Sequence, residues 1–349
     1  MSIWESRLRL AALAAAFVAL SLTGCDQTFK ESALDKTASL PAMRTHCVGR
    51  YLIDLPADFE QMLVSDVELT YGMDKNFRTV NVTVARAAGS QPSFDGIVNK
   101  RASELAADYH FKSPSKTMLA FRQRLNETTA LVRSYDSPDM LDYFKAELFA
   151  EKGFSVGLFT ADIFKTDTPD DIEAKVLKVV ERTSFAPSPD QAGRGTCLGP
   201  MLIDAGQDQE HSSITLHDAA RPDVWFEIST NAIGADPDQS LLQRGNANDA
   251  KVRALGAKWD TLRRGKIRIA NMDAEEELIG YKAEGKTGFL FAAESQRTQP
   301  SFERQRLKFD LTSGSLIGGA PAESSLSKSE MIAVWDVAIQ SVRLRPAAV

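Results

Sequence analysis

The sequence predicts an α+β fold: two tandem, structurally similar domains, each a largely antiparallel sheet packed by two helices. Three observations lead there. The phrase Cys47-Val-Gly-Arg-Tyr-Leu-Ile-Asp54 recurs as Cys197-Leu-Gly-Pro-Met-Leu-Ile-Asp204, with five of the eight positions identical. An amphipathic helical stretch, a short strand and a proline close each copy, at Pro187 and Pro346. Between these ends, short apolar segments read as strands around one earlier helix, and strands gathered between helices that can cover one sheet face make an α+β domain. The 349 residues leave room for two cores.

The chain begins with Arg7 and Arg9 ahead of an apolar run from Leu10 to Leu20, followed by small residues up to Cys25. Such a run is short for a permanent membrane span, so residues 1–24 are expected to be an export signal. Leu22-Thr23-Gly24-Cys25 resembles the bacterial lipoprotein signal, which makes Cys25 the lipidated residue and the new N-terminus after cleavage. A plain secreted protein and a retained anchor are the other readings of these residues. Asp26, next to the lipidated position, points toward the inner membrane. Residues 25–46 are small and polar without a sustained period: a lipidated cysteine and a flexible tether, with the folded body starting at Cys47.

The first domain is expected over 47–187. Its strands are predicted at 80–84, 130–135, 141–149 and 154–159, with a helical stretch at 97–109. Its closing helix starts at Thr168 as a cap, with Pro169 in the first position, acids in the first turn, and Ile172, Val176, Val179 and Val180 on one face. Residues 188–196 are rich in turn formers and serve as linker. The second domain, 197–346, repeats the pattern with strands at 224–228, 268–271, 276–282, 288–293 and 306–311 and a helix at 241–255. Ser327 to Glu330 offers a capping box for the last helix, whose stripe is Met331, Trp335, Ala338 and Ile339.

Several function classes find no support. The 41 basic and 47 acidic residues give a net charge of −6, which excludes a broad basic face for nucleic acid. Of the four histidines, His46 and His110 stand apart, and His211 and His217 share a strand face without further ligands at metal spacing. Nucleophile-elbow, zinc-protease and phosphate-loop motifs are absent from the sequence. Ser113-Pro-Ser-Lys116, Ser229-Thr-Asn231 and Lys286-Thr-Gly288 follow the order used by penicillin-recognising serine enzymes, but the first lies in one copy and the others in the second. The acidic stretches 167–171 and 273–277 are expected to be solvated turns and helix starts, or a docking surface for a basic partner. Cys47 and Cys197 hold equivalent places, and two readings stay open: a bridge favoured by an oxidising compartment, or two free buried thiols too far apart to pair.

Gly49-Arg50-Tyr51-Leu52-Ile53-Asp54-Leu55-Pro56 after Cys47, the second opening at 197–204 and the two-copy layout behind a lipoprotein signal resemble the type VI secretion lipase-immunity family. These are the cognate immunity proteins of the fourth class of type VI phospholipase effectors. The resemblance covers about 45–346. It implies a non-catalytic periplasmic protein without cofactor, lipid-anchored to the membrane, whose two domains grip a phospholipase effector around the cap over its active site. The shared phrase is structural: Tyr51, Leu52 and Ile53 form a first strand that Asp54 and Pro56 end, and no effector-contacting residue carries over. An envelope lipoprotein that binds a glycan, lipid or peptide is the alternative from another class.

Overall fold

The computed structural model describes residues 42–349 apart from 73–77, 87–91, 192, 233–238, 255–258, 297–300 and 317–319. The expected signal, Cys25, Asp26 and most of the tether fall outside the described residues. The first half runs β1 (Met43–Gly49), β2 (Tyr51–Pro56), β3 (Phe59–Gln61), β4 (Asp66–Tyr71), β5 (Arg78–Arg86), α1 (Phe94–Ala107), β6 (Tyr109–His110), β7 (Ser113–Thr117), β8 (Leu119–Asn126), β9 (Thr129–Tyr135), β10 (Phe144–Lys152), β11 (Ser155–Ile163), α2 (Pro169–Glu181) and β12 (Thr183–Phe185). After a short 3-10 turn at Pro189–Gln191, the second half runs β13 (Thr196–Leu198), β14 (Met201–Ile203), β15 (Gln209–Asp218), β16 (Arg221–Asn231), α3 (Leu241–Ala254), β17 (Trp259–Ile269), β18 (Met272–Ala283), β19 (Lys286–Ser295), β20 (Arg306–Ser313), α4 (Lys328–Ser341) and β21 (Arg343–Leu344). The fold is α+β, strand-rich and antiparallel.

Each repeated phrase folds into a hairpin with a two-residue turn. Val48 pairs with Tyr51 around Gly49-Arg50, and Leu198 pairs with Met201 around Gly199-Pro200. Gly49 and Gly199 both have φ of 58°, and neither following residue has positive φ. Positive φ at the first turn position alone is the type II′ pattern, which takes glycine there because a Cβ is disfavoured in that region. The glycine shared by the two copies is thus a turn requirement.

These hairpins meet at β1 and β13 in a six-stranded sheet ordered β12-β14-β13-β1-β2-β21. The closing strands are exchanged: β12 of the first half pairs with β14, and β21 of the second pairs with β2. A 13-stranded sheet runs β17-β18-β19-β20-β16-β15-β4-β5-β11-β10-β9-β8, with β3 added on β15. Counted outward from the β4–β15 contact, the strands of one half occupy the same places as their counterparts in the other. One continuous sheet therefore passes through both halves.

Side-chain alternation gives this sheet two covered faces in the first half. Leu131 and Leu148 join the main core with Ile172, Val176, Val179 and Val180 of α2. Their neighbours Ala130, Val132 and Phe149 point the other way, into a cluster with Phe94, Val98 and Leu105 of α1. On the second half, α4 buries Trp335, whose ring packs against Phe226 and Phe291 at centroid distances of 6.0 and 5.9 Å. Ser327 closes the capping box with Glu330, as its spacing predicts.

Some local expectations are corrected. The body begins at Met43 rather than Cys47, because β1 extends back to pair Met43 with Pro56. Thr168 makes no side-chain cap bond, and Asp170 and Glu173 of α2 are instead held by Arg133. Residues 268–271 are the end of a longer β17 and a tight turn, with Ala270 and Asn271 at φ 49° and 64°. The acidic run 273–277 is the start of β18, where Glu275, Glu276 and Glu277 are buried. Arg263 and Arg264 on β17 neutralise Glu276 and Glu277, so this stretch is neither a solvated turn nor a free docking surface.

Candidate functional site

The residues of the repeated phrase form the seam between the halves. Arg50, at the first hairpin turn, is buried and forks onto the fully buried Glu210 of β15 at 2.7 and 2.9 Å. Gln207 and Gln305 donate to the same carboxylate at 2.6 and 2.5 Å. Paired and fully hydrogen-bonded, the buried charge avoids the desolvation cost that a lone carboxylate would carry. The Arg50 guanidinium also donates to the Ala348 carbonyl and lies 4.3 Å from the Phe302 ring centroid. Arg345, buried alongside, donates to the Gly193 and Gly195 carbonyls. Burial, then the neighbouring Arg50 charge, brings its pKa down to about 10.

The other phrase residues extend this frame. Tyr51 donates to the Glu303 carbonyl at 3.0 Å and accepts from the Gln305 amide, and burial pushes its phenol up to about 12. Leu52 faces Cys47 and Cys197 in a small apolar cluster, whereas Ile53 joins the main core. Asp54 accepts from Thr45 and Arg343, tying β2 to the end of the chain, and Pro56 closes the strand. Cys47 and Cys197 are joined by a disulfide with a Cα–Cα separation of 5.9 Å. Antiparallel pairing of β1 with β13 brings the two cysteines together.

The sequence-level chemistry candidates do not assemble. Ser113 and Lys116 lie on β7 in a separate two-stranded sheet, while Ser229 is on β16 and Lys286 on β19. His211 and His217 lie on β15, His46 on β1 and His110 on β6. Among the described residues no group of three or more His, Cys, Asp or Glu is placed to hold a metal ion. His46 is held down to about 4 by burial and then by Arg44. Among the described residues no helix is long and apolar enough to cross a membrane.

What sequence reasoning missed is a surface. Tyr109, Phe111, Met140, Leu141, Tyr143 and Phe164 are exposed large apolar side chains on three connections of the first half. Their signal in the sequence is apolar residues inside turn-forming stretches, which periodicity searches discount.

Comparison with known proteins follows from this architecture. Residues 190–347 match the family model described as the Tle cognate immunity protein 4 C-terminal domain. No curated protein matches the sequence. Three solved structures share the fold. The apo immunity protein TplEi of T6SS from Pseudomonas aeruginosa is 20% identical, with a TM-score of 0.63 over 88% of this chain and 98% of that one. The Tle4–Tli4 complex is 20% identical, with a TM-score of 0.61 over 88% and 98%. TplEi complexed with the "L" peptide is 19% identical, with a TM-score of 0.59 over 88% and 100%.

Proposed function

We propose that this chain, whose residues 190–347 match the Tle cognate immunity protein 4 C-terminal domain, is an immunity protein and not an enzyme, and that it binds and silences a cognate type VI phospholipase effector. The family match over 190–347 is the observation that carries this reading. The shared fold across 88% of the chain supports it, because one of the structures is a Tle4–Tli4 complex.

In this reading the protein works in the periplasm. Residues 1–24 direct export, Cys25 carries the lipid, Asp26 keeps the protein at the inner membrane, and the residues up to Ala42 form the tether. Lipid anchoring at the surface that the effector attacks raises the local concentration of inhibitor. The halves 43–187 and 197–346, joined through 188–196, act as repeat domains that clamp the effector. The matching strand order of the two halves supports a repeat origin, and the bonded Arg50–Glu210 seam supports arms held at a fixed angle. Inhibition is by occlusion and needs no cofactor.

The test is expression of the neighbouring-gene lipase in the periplasm with and without this protein. Rescue of growth and co-elution of the two proteins on gel filtration are expected. Unchanged killing with no complex would remove the reading. Palmitate labelling that vanishes in Cys25→Ser tests the anchor separately.

A further inference from the structure

The two halves let one copy serve as a measure of what the fold needs. In the second half, β18 and β19 are joined by the two-residue turn Glu284-Gly285, whereas their counterparts β9 and β10 are joined by residues 136–143. Likewise α3 and β17 are separated by residues 255–258, whereas α1 and β8 are separated by residues 108–118, which include the β6–β7 hairpin. Both extra connections lie at the same end of the sheet. They are bonded to each other, because the Phe111 amide donates to the Pro138 carbonyl at 2.8 Å.

The exposed apolar residues sit on these additions. Phe111 is 78% exposed, Tyr109 60%, Met140 44% and Leu141 37%. Tyr143, at the end of the longer loop, meets the exposed Phe164 edge-on at 6.3 Å. The additions of the second half behave differently. Residues 301–305 lie between β19 and β20, and they supply Phe302, Glu303 and Gln305 to the buried seam. One half spends its extra residues on the core, and the other displays them to solvent.

The charges around the display select its occupant. Lys145 is held between Asp136 and Asp162 at 3.3 and 3.6 Å, and Lys165 is held by Asp142 at 3.0 Å. Asp139 and Lys112 extend this described rim, and Arg78, paired with Asp167, lies 5.7 Å from the Phe164 ring centroid, so five aspartates meet three lysines and an arginine. Such a rim offers no free basic cluster for anionic phospholipid. It fits a protein that presents an apolar surface flanked by basic side chains, with the apolar-centre and polar-rim anatomy of a protein interface.

We propose that Tyr109, Phe111, Met140, Leu141, Tyr143 and Phe164 form the docking patch for the cognate effector, engaging an apolar, basic-flanked surface on it. The assignment rests on the immunity reading and adds which surface of this chain makes contact. The patch stands on loops bonded to a rigid sheet, so it is presented without folding on contact.

The experiment measures binding of the purified full chain to the effector by calorimetry, for wild type, Phe111→Ser, Leu141→Ser and a control, Phe154→Ser. Phe154 is 69% exposed but lies in the β10–β11 turn, at the other end of β10. Each patch variant should weaken binding by roughly tenfold or more, with an unchanged melting curve and an unaffected control. Patch variants that bind like wild type would overturn the assignment while leaving the immunity reading standing. No binding by wild type would sink both. Co-sedimentation with phosphatidylglycerol vesicles and analytical ultracentrifugation complete the test. A patch variant that changes lipid binding or self-association but leaves effector affinity intact would also overturn it.

Discussion

At the scale of single residues, the seam depends on a buried charge that is safe only while fully partnered. Removing Arg50 leaves Glu210 with Gln207 and Gln305 but without its counter-charge. Arg50→Met is expected to destabilise the fold by about 3–5 kcal/mol, read from the urea midpoint at unchanged slope. Arg50→Met with Glu210→Met should recover part of that loss, because the carboxylate that lost its partner is removed with it. His46 gives a second prediction. With its folded pKa near 4 against an ordinary 6.5, the unfolded chain takes up a proton in that window that the native chain does not. Its contribution is present above pH 6.5 and lost as the pH falls toward 4, so His46→Gln should flatten the acid side of a stability–pH curve. The glutamates at 275–277 show where residue-level reading fails. Three adjacent acids look solvated, but Glu276 and Glu277 pair with Arg263 and Arg264 through the β17–β18 register, and Glu275 accepts from the Leu242 amide, which makes their burial tolerable.

At the scale of elements, the repeated glycines offer a graded test of the hairpin argument. Both positions require positive φ, which a Cβ disfavours by about 1–2 kcal/mol. At Gly199 an added Cβ would meet only the movable end of Gln61 at 3.0 Å, but at Gly49 it would stand 2.6 Å from Thr230 Oγ1 in the seam. Gly199→Ala should therefore lower the melting temperature modestly, and Gly49→Ala should lower it more. Elements with local signals were legible in the sequence: the α4 capping box, the α2 stripe, and both helices that follow the first large strands of each half. The sequence predicts a strand from 141 because Leu141 and Tyr143 look like strand residues, yet they belong to an exposed loop before β10. The patch was illegible for the same reason, since its apolar residues have no period and their meaning appears only beside the shorter connections of the second half.

At the scale of the whole molecule, the recurring phrase is readable in the sequence but the way the two halves join is not. Pairing of β4 with β15 and the exchange of β12 and β21 are contacts between distant segments, and nothing in either segment's own pattern names its partner. Exchange means that neither half completes its small sheet alone. The Cys47–Cys197 bond closes the joint over a sequence separation of 150, and replacing both cysteines with serine should cost about 2–5 kcal/mol. A stronger consequence concerns the halves themselves. Expressed separately, residues 42–192 and 193–349 would each expose the edge of the large sheet at β4 or β15, lose an outer strand of the small one and separate Arg50 from Glu210. Each fragment alone is expected to lack dispersed amide signals by NMR. Co-expressed in the periplasm, the two should assemble into one particle, migrate as a single covalent species on a non-reducing gel and separate on reduction. Two fragments that each fold independently would show that the continuous sheet is an accessory contact between autonomous domains and that the seam is not what holds the two arms in place.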